Sequence, residues 1–145
     1  MIYDFEYYVS KGVVRKTNAN PALARSLVFK SEIRLKRVLR EQITEAESSI
    51  IFEDIYEIMR EAAQALMQVK GYKPYSHEAL IAFLKKEKLM SNSKINRFNK
   101  YRILRNKSVY EAKKVSVDTS KEALEFAKEL LPEIKKKFFE LQRRD

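Results

Sequence analysis

The sequence predicts an all-α protein, an up-and-down bundle of four main helices plus one short helix. Its 145 residues include only two glycines and three prolines, too few for the turns of a many-stranded sheet. Leu, Ala, Glu and Lys, which favour helices, are abundant, and apolar residues recur at helical spacing along most of the chain. No segment has the length and composition of a linker, so we expect a single domain over residues 1–145.

The first long helix is predicted over residues 21–45. Asn20 is a favourable N-cap, and Pro21 is tolerated at the first helical position, so the start of this helix is well marked. Residues 1–19 are harder to interpret, because their apolar spacing fits a short helix and an extended arm equally well.

The second long helix has the strongest apolar stripe of the chain, from Ile51 to Val69. Thr44 and Glu47 have the spacing of a capping box, which indicates a break between the two long helices. Gly71 is expected to end the second helix in a left-handed conformation, and Pro74 blocks its continuation.

Three further helices are predicted in the rest of the chain. Ser76 is a suitable N-cap for a short helix at about 77–88, and a polar Ser-Asn-Ser segment precedes a basic helix at about 94–112. The last helix is predicted over residues 119–142, because its first residues have capping-box spacing. Pro132 lies inside it and is expected to produce a kink.

Composition also excludes several classes of function. The absence of cysteine excludes disulfides, a thiol nucleophile and a cysteine-ligated metal, and a single histidine, His77, argues against a histidine metal site or a Ser-His triad. No apolar run approaches the roughly 18–20 residues of a membrane span, and no signal-peptide pattern opens the sequence. We therefore expect a cytoplasmic protein without metal, cofactor or membrane association.

The net charge of +10 is concentrated in one segment. Residues 94–114 contain eight basic residues and one acidic residue, a net charge of +7, whereas the rest of the chain has a net charge of only +3. A local excess of this kind indicates a polyanionic partner, with the solvated face of an amphipathic helix as the simpler alternative.

The predicted phosphate-binding residues lie mainly on this basic helix. Arg102 and Asn106 are i,i+4 neighbours, and Arg105 and Tyr110 can flank one groove. Guanidinium and amide donors along a groove suit a phosphate, because Arg presents two aligned N–H groups to its oxygens. The residues predicted to bind a nucleotide or RNA are Arg97, Lys100, Arg102, Arg105, Lys107 and, on the second long helix, Arg60.

Two acidic residues of the second long helix, Glu57 and Glu61, are candidates to orient this groove. We expect one of them to pair with Arg102 or Arg105, and the alternative is that both are surface charges on the outer face of their helix. His77 is expected to be a helix-start residue that hydrogen-bonds locally or packs on Tyr75.

The motif Arg105-Asn106, the four residues between Arg105 and Tyr110, and a following helix from about residue 119 resemble the HEPN domain. Other stretches resemble archaeal and bacterial HEPN proteins in the same order along the chain. They are Asn20-Pro21 to Leu27, Tyr56 to Glu61, and Gly71 to Ala79. The resemblance covers roughly residues 13–140.

The resemblance implies a helical bundle that dimerises, with the basic helices of two protomers lining a shared cleft. In that family an Arg-x4-6-His motif cleaves RNA without a metal. Some members are toxins with a nucleotidyltransferase partner, and others bind nucleotides or RNA. When the family motif is aligned with this sequence, Arg105 matches the motif arginine and Asn106 matches the polar residue that often follows it. Tyr110 occupies the position of the histidine.

The change from histidine to Tyr110 bears directly on catalysis. A general base works best with a pKa near ambient pH, whereas tyrosine has a reference pKa of about 10, so about one part in a thousand is phenolate at pH 7. We therefore predict a homodimeric HEPN-like module that binds nucleotide or RNA and is not an efficient nuclease. The alternatives are a toxin-like ribonuclease using Arg105, Asn106 and Tyr110, and an interaction module paired with a nucleotidyltransferase.

Overall fold

A computed structural model describes residues 2–143, which form six helices and two short strands. The helices are α1 (Phe5–Ser10), α2 (Pro21–Leu39), α3 (Ser48–Val69), α4 (His77–Lys86), α5 (Asn92–Glu111) and α6 (Val117–Arg143), and the strands are β1 (Val14–Lys16) and β2 (Tyr72–Pro74). The predicted all-α helical bundle is confirmed, because 73% of the residues are helical and only 4% lie in strands. The four long helices and the short α4 are those predicted, and α1 is an additional short helix.

Helix α3 is the centre of the bundle. Fifteen of its 22 residues are buried, among them the large rings of Phe52 and Tyr56. It packs most extensively against α2 and α6, and it also contacts α4 and α5. None of the helices within residues 2–143 combines the length and the apolar character that crossing a membrane requires.

The capping residues at three predicted boundaries adopt the expected geometry. The Asn20 side chain accepts a hydrogen bond from the Leu23 N–H at 3.0 Å, and the Ser76 hydroxyl accepts one from the Ala79 N–H at 3.0 Å. Gly71 follows the end of α3 with a φ of 81°, the left-handed conformation predicted for it. The starts of α2 and α4 and the end of α3 are therefore determined by local sequence.

The junction of α2 and α3 differs from the prediction in its details. Helix α2 ends at Leu39, six residues before the predicted end, and α3 begins at Ser48. Glu47 is the N-cap residue of α3, but its side chain accepts no capping hydrogen bond. The predicted break is correct, whereas the capping box of Thr44 and Glu47 does not form.

The start of α6 is also earlier than predicted. The helix begins at Val117, because the Ser116 hydroxyl accepts a hydrogen bond from the Thr119 N–H at 3.1 Å and so acts as the cap. From there the helix continues through Pro132 to Arg143.

Hydrogen bonds that involve three serine hydroxyls hold the connection between α5 and α6, and the start of α6, against the start of α3. The Ser48 hydroxyl donates to the Val115 carbonyl at 2.5 Å, and the Val115 N–H donates to the Ser49 hydroxyl at 2.8 Å. The buried Ser120 hydroxyl donates to the Ser48 carbonyl at 2.8 Å. The C-terminal end of α5 is thereby held against α3, and the basic helix has a fixed position in the bundle.

The two strands form an antiparallel pair that the sequence analysis did not predict. Val14 lies opposite Pro74 and Lys16 opposite Tyr72, so residues 1–19 contain both a short helix and an extended segment. The Tyr75 N–H extends the pairing by donating to the Val13 carbonyl at 2.8 Å. The pair fixes the chain directly before α4, and it therefore positions the first residues of that helix.

We expect Gly71→Ala to destabilise the fold much more than Gly12→Ala. Both glycines have a positive φ, but a Cβ at Gly71 would lie 2.6 Å from the Thr17 carbonyl oxygen, whereas a Cβ at Gly12 meets nothing within 4 Å. The free energy of unfolding should fall by about 2–5 kcal/mol for Gly71→Ala and by about 1–2 kcal/mol for Gly12→Ala. Urea unfolding followed by circular dichroism measures both values, and equal losses would contradict this account of Gly71.

Candidate functional site

A cavity of about 260 Å³ lies between the start of α4 and the C-terminal half of α5. We call it the Arg105 cavity. It is lined by Tyr75, Ser76, His77, Glu78, Arg102, Arg105, Asn106 and Tyr110. The structure thus brings four of the predicted site residues, all on α5, together with residues 75–78, which the sequence analysis did not include among the site residues.

Arg105 is the half-buried cation of this cavity. Its Nη1 donates a hydrogen bond to the Asn106 Oδ1 at 3.3 Å, and its guanidinium carbon lies 5.8 Å from the ring centroid of Tyr110 and 5.9 Å from that of Tyr56. Within residues 2–143 it forms no ion pair. Its direct contacts are therefore aromatic faces and an amide oxygen, while its charge also helps to lower the pKa of the neighbouring Glu57 carboxyl.

Arg102, in contrast, is buried and paired. Its Nε donates to the Asn99 Oδ1 at 2.9 Å, and its Nη1 lies 3.5 Å from the Glu78 Oε1. Glu78 also accepts a hydrogen bond from the Tyr8 hydroxyl at 3.4 Å. Glu78, which the sequence analysis did not single out, is therefore the acidic residue that orients Arg102.

Glu61 does not pair with the arginines of α5, so the prediction that it orients them is wrong. Its side chain is 1% exposed, and it accepts a hydrogen bond from the Arg34 Nε at 2.8 Å and pairs with the Lys30 Nζ at 3.3 Å. Both partners lie on α2. The reason is the packing of α3, which turns Glu61 towards α2 and away from the Arg105 cavity.

Glu57 bonds directly to Arg60 on its own helix and not to Arg102 or Arg105, although the charge of Arg105 also helps to lower the pKa of Glu57. Arg60 donates from Nε and Nη2 to the Glu57 carboxylate at 2.8–3.1 Å, and its Nη1 donates to the Gln64 Oε1 at 2.6 Å. Burial acts to raise the pKa of Glu57, but the hydrogen bonds and positive charge of Arg60 outweigh it and hold that pKa below its ordinary value.

The remaining predicted binding residues lie outside the Arg105 cavity. The guanidinium of Arg97 lies against α6, 4.5 Å from the ring centroid of Phe126, and its Nη2 donates to the Tyr101 hydroxyl at 3.1 Å. Lys100 is exposed and Lys107 is half-buried, and neither lines the cavity. Of the six basic residues predicted to bind phosphate, only Arg102 and Arg105 line this cavity.

His77 stacks on Tyr56 of α3, whereas the expectation was a local hydrogen bond or packing on Tyr75. Its ring stacks on that of Tyr56 with centroids 5.6 Å apart, and its Nδ1 is 3.0 Å from the Tyr56 hydroxyl. Burial, followed by the charges of Arg105 and Arg60, lowers the pKa of His77 to about 4. Burial raises the pKa of Tyr56, so at neutral pH both groups are uncharged. Nothing local in the sequence signals this contact, which joins α3 to α4.

The fold and the site define an all-α protein with a cationic cavity between two of its helices. No protein-family model matches the chain, and no curated protein matches it. The resemblance to the HEPN domain therefore stays a prediction.

His77 should titrate with a pKa of about 4. Its ordinary pKa is 6.5, so between these values the unfolded chain binds more protons than the folded protein. The free energy of unfolding should consequently decrease as the pH falls from 6.5 towards 4, while above 6.5 this contribution is constant. Because the chain has one histidine, a single set of imidazole NMR signals reports the titration.

The control for this titration is His77→Gln, which keeps a polar side chain but cannot titrate in this range. It should lose the part of the pH dependence that arises between 4 and 6.5. A midpoint near 6.5 for the wild-type imidazole would contradict its placement among buried and cationic neighbours.

Proposed function

We propose that the protein is a HEPN-like module that binds the phosphate of a nucleotide or RNA in the Arg105 cavity, without cleaving RNA efficiently. The observation that supports this most is the state of Arg105, a half-buried guanidinium that faces a cavity and has no carboxylate partner within the described residues. A phosphate oxygen pair matches the fork of N–H donors that such a guanidinium presents.

The start of α4 adds a second source of attraction for an anion. Residues 76–78 line the cavity, and the first N–H groups of a helix have no partner within it. The Ser76 hydroxyl accepts only the Ala79 N–H, so the N–H groups of His77 and Glu78 remain for a ligand. These groups and the helix dipole favour a phosphate at this end of α4.

Asn106 can contribute a donor of its own. Its Oδ1 accepts the hydrogen bond from Arg105, which leaves the amino group to donate to a ligand oxygen. The carboxylate of Glu78 would repel an anion, but its charge is offset by the neighbouring Arg102. The cavity thus offers several donors and one guanidinium that no carboxylate of the described residues bonds directly.

Arg105→Ala should weaken the binding of a single-stranded RNA oligonucleotide and reduce its dependence on salt, since one phosphate contact is lost. The slope of log affinity against log salt concentration should become about 0.7–1 less negative. Arg97→Ala is the matched control, because it removes the same charge from the same helix at a position outside the cavity. Fluorescence anisotropy over a salt series measures both slopes, and equal effects of the two substitutions would contradict a localised phosphate site.

Efficient RNA cleavage is not expected from these residues. Removal of the 2′-hydroxyl proton needs a general base, and Tyr110, at 75% exposure, lies mostly in water. His77 lies in the same cavity, but a pKa of about 4 makes it a weak base at neutral pH. The site combines strong anion attraction with poor proton acceptors.

We expect RNA incubated with the purified protein in EDTA at pH 7 to remain intact, as followed by gel electrophoresis. Arg105→Ala and His77→Gln are run in parallel to identify the origin of any cleavage. Cleavage that Arg105→Ala abolishes would replace binding with the ribonuclease alternative, and its loss in His77→Gln as well would identify the imidazole as a participant. Cleavage that neither alters would come from a contaminating nuclease.

Homodimerisation and a nucleotidyltransferase partner stay predictions that rest on the resemblance. Three exposed apolar side chains, Phe29, Ile33 and Ile50, lie on α2 and at the start of α3, with 49–65% of their surface in water. A second copy of the chain would remove such surface from water, which supports the homodimer in physical terms.

A further inference from the structure

Two exposed tyrosines line the Arg105 cavity beside its charged groups. Tyr75, between β2 and α4, is 55% exposed, and Tyr110, at the end of α5, is 75% exposed. Each ring already has a cation beside it, since the Lys73 Nζ lies 5.7 Å from the Tyr75 centroid and the Arg105 guanidinium 5.8 Å from the Tyr110 centroid. Phosphate binding by itself needs no aromatic ring, so these two rings indicate a further part of the ligand.

A second, smaller cavity adjoins the first at Tyr75. It has a volume of about 150 Å³ and shares Tyr75, Ser76 and His77 with the Arg105 cavity. Its other lining residues are Arg60, Gln64, Pro74 and Leu80. Tyr75 therefore lies between two cavities, and a ligand longer than one phosphate group could occupy both.

The second cavity differs from the first in its chemistry. Arg60 is already bonded to Glu57 and to the Gln64 Oε1, so its charge is compensated, while the Gln64 amino group is left as a donor. Leu80 and Pro74 add apolar surface. An amide donor beside apolar and aromatic groups suits a planar, hydrogen-bonding ring better than a second phosphate.

We propose that the ligand is a single-stranded nucleic acid whose bases stack on Tyr75 and Tyr110, on either side of the phosphate bound by Arg105. The proposal rests on the proposed function and specifies its ligand. Base–aromatic stacking is available to every base, but the bases of a duplex are already stacked and paired, so only an unpaired strand can present them to the two rings. The carboxylates of an acidic protein could also pair with Arg105. Such a protein, unlike a nucleic acid, has no regular series of planar rings beside its negative charges.

Alanine substitution of either tyrosine should weaken binding of a fluorescently labelled hexauridylate by about 5- to 100-fold, measured by anisotropy at constant salt. Tyr75→Phe and Tyr110→Phe should retain most of the affinity, because the ring face remains. The matched control is Tyr7→Ala, which removes another exposed tyrosine beside a lysine, at 5.7 Å from Lys11, on α1. Circular dichroism verifies that each variant is folded.

Four further probes separate the possible ligands. A ribose-phosphate hexamer without bases should bind the wild-type protein as weakly as hexauridylate binds the alanine variants, and an RNA duplex should bind more weakly than the single strand. Hexadeoxyuridylate has the same bases and phosphates as hexauridylate, so tyrosine-dependent binding of either hexamer supports the proposal. The hexamer that binds more tightly then identifies the natural ligand as RNA or DNA. Tyrosine-dependent binding of polyglutamate with equal affinity would overturn it in favour of an acidic protein partner.

The outcomes for the two proposals are distinguishable. The stacking proposal is overturned if two results are found together with weaker binding by Arg105→Ala. The tyrosine-to-alanine variants would bind hexauridylate as tightly as the wild-type protein does, and the wild-type protein would bind the abasic strand as tightly as hexauridylate. The phosphate site would still stand in that case. If Arg105→Ala also has no effect on affinity or salt dependence, the proposed function itself is overturned.

Discussion

Charged groups beside the buried helix α3 lose contact with water, and each then needs a partner within the protein. Glu61 is paired with two cations of α2, while Arg60 and Arg102 are paired with carboxylates. Arg105 differs from these groups, since the described residues provide it with ring faces and an amide oxygen but no carboxylate. The anion proposed for the Arg105 cavity would complete this pattern, and this is the physical argument for binding at that cavity.

The helices could be predicted from the sequence because their limits depend on neighbouring residues. Asn20 and Ser76 accept hydrogen bonds from N–H groups three residues later, and Gly71 ends α3 with a positive φ. The strand pair could not be predicted in this way, because Val14 and Pro74 are 60 residues apart and short polar strands have little pattern of their own. Their pairing belongs to a set of contacts distant in sequence, which includes the packing of α1 against α4.

The same distinction applies to the candidate site. Arg105, Asn106 and Tyr110 lie within two turns of one helix, so spacing alone was enough to group them. The contribution of α4, including His77, required the packing of α4 against α5 and could not be inferred from spacing. The net charge of the basic segment also overestimated the number of cations available to a ligand. Lys94 and Arg97 lie against α6, where their partners are Glu133 and Phe126. A charge count measures how many cations a helix has, whereas packing decides which of them face a ligand.

Anion binding and the protonation of His77 are coupled through the same arginines. The charges of Arg105 and Arg60 help to keep the imidazole uncharged, so a phosphate that offsets them would raise the pKa of His77, and by linkage a protonated His77 would strengthen phosphate binding. Burial is the largest cause of the low pKa, however, and a phosphate that offsets the arginine charges does not remove it. A bound phosphate therefore relieves only part of the shift. The imidazole would then stay a weaker base than a solvent-exposed histidine, and this agrees with the proposal of binding without efficient cleavage.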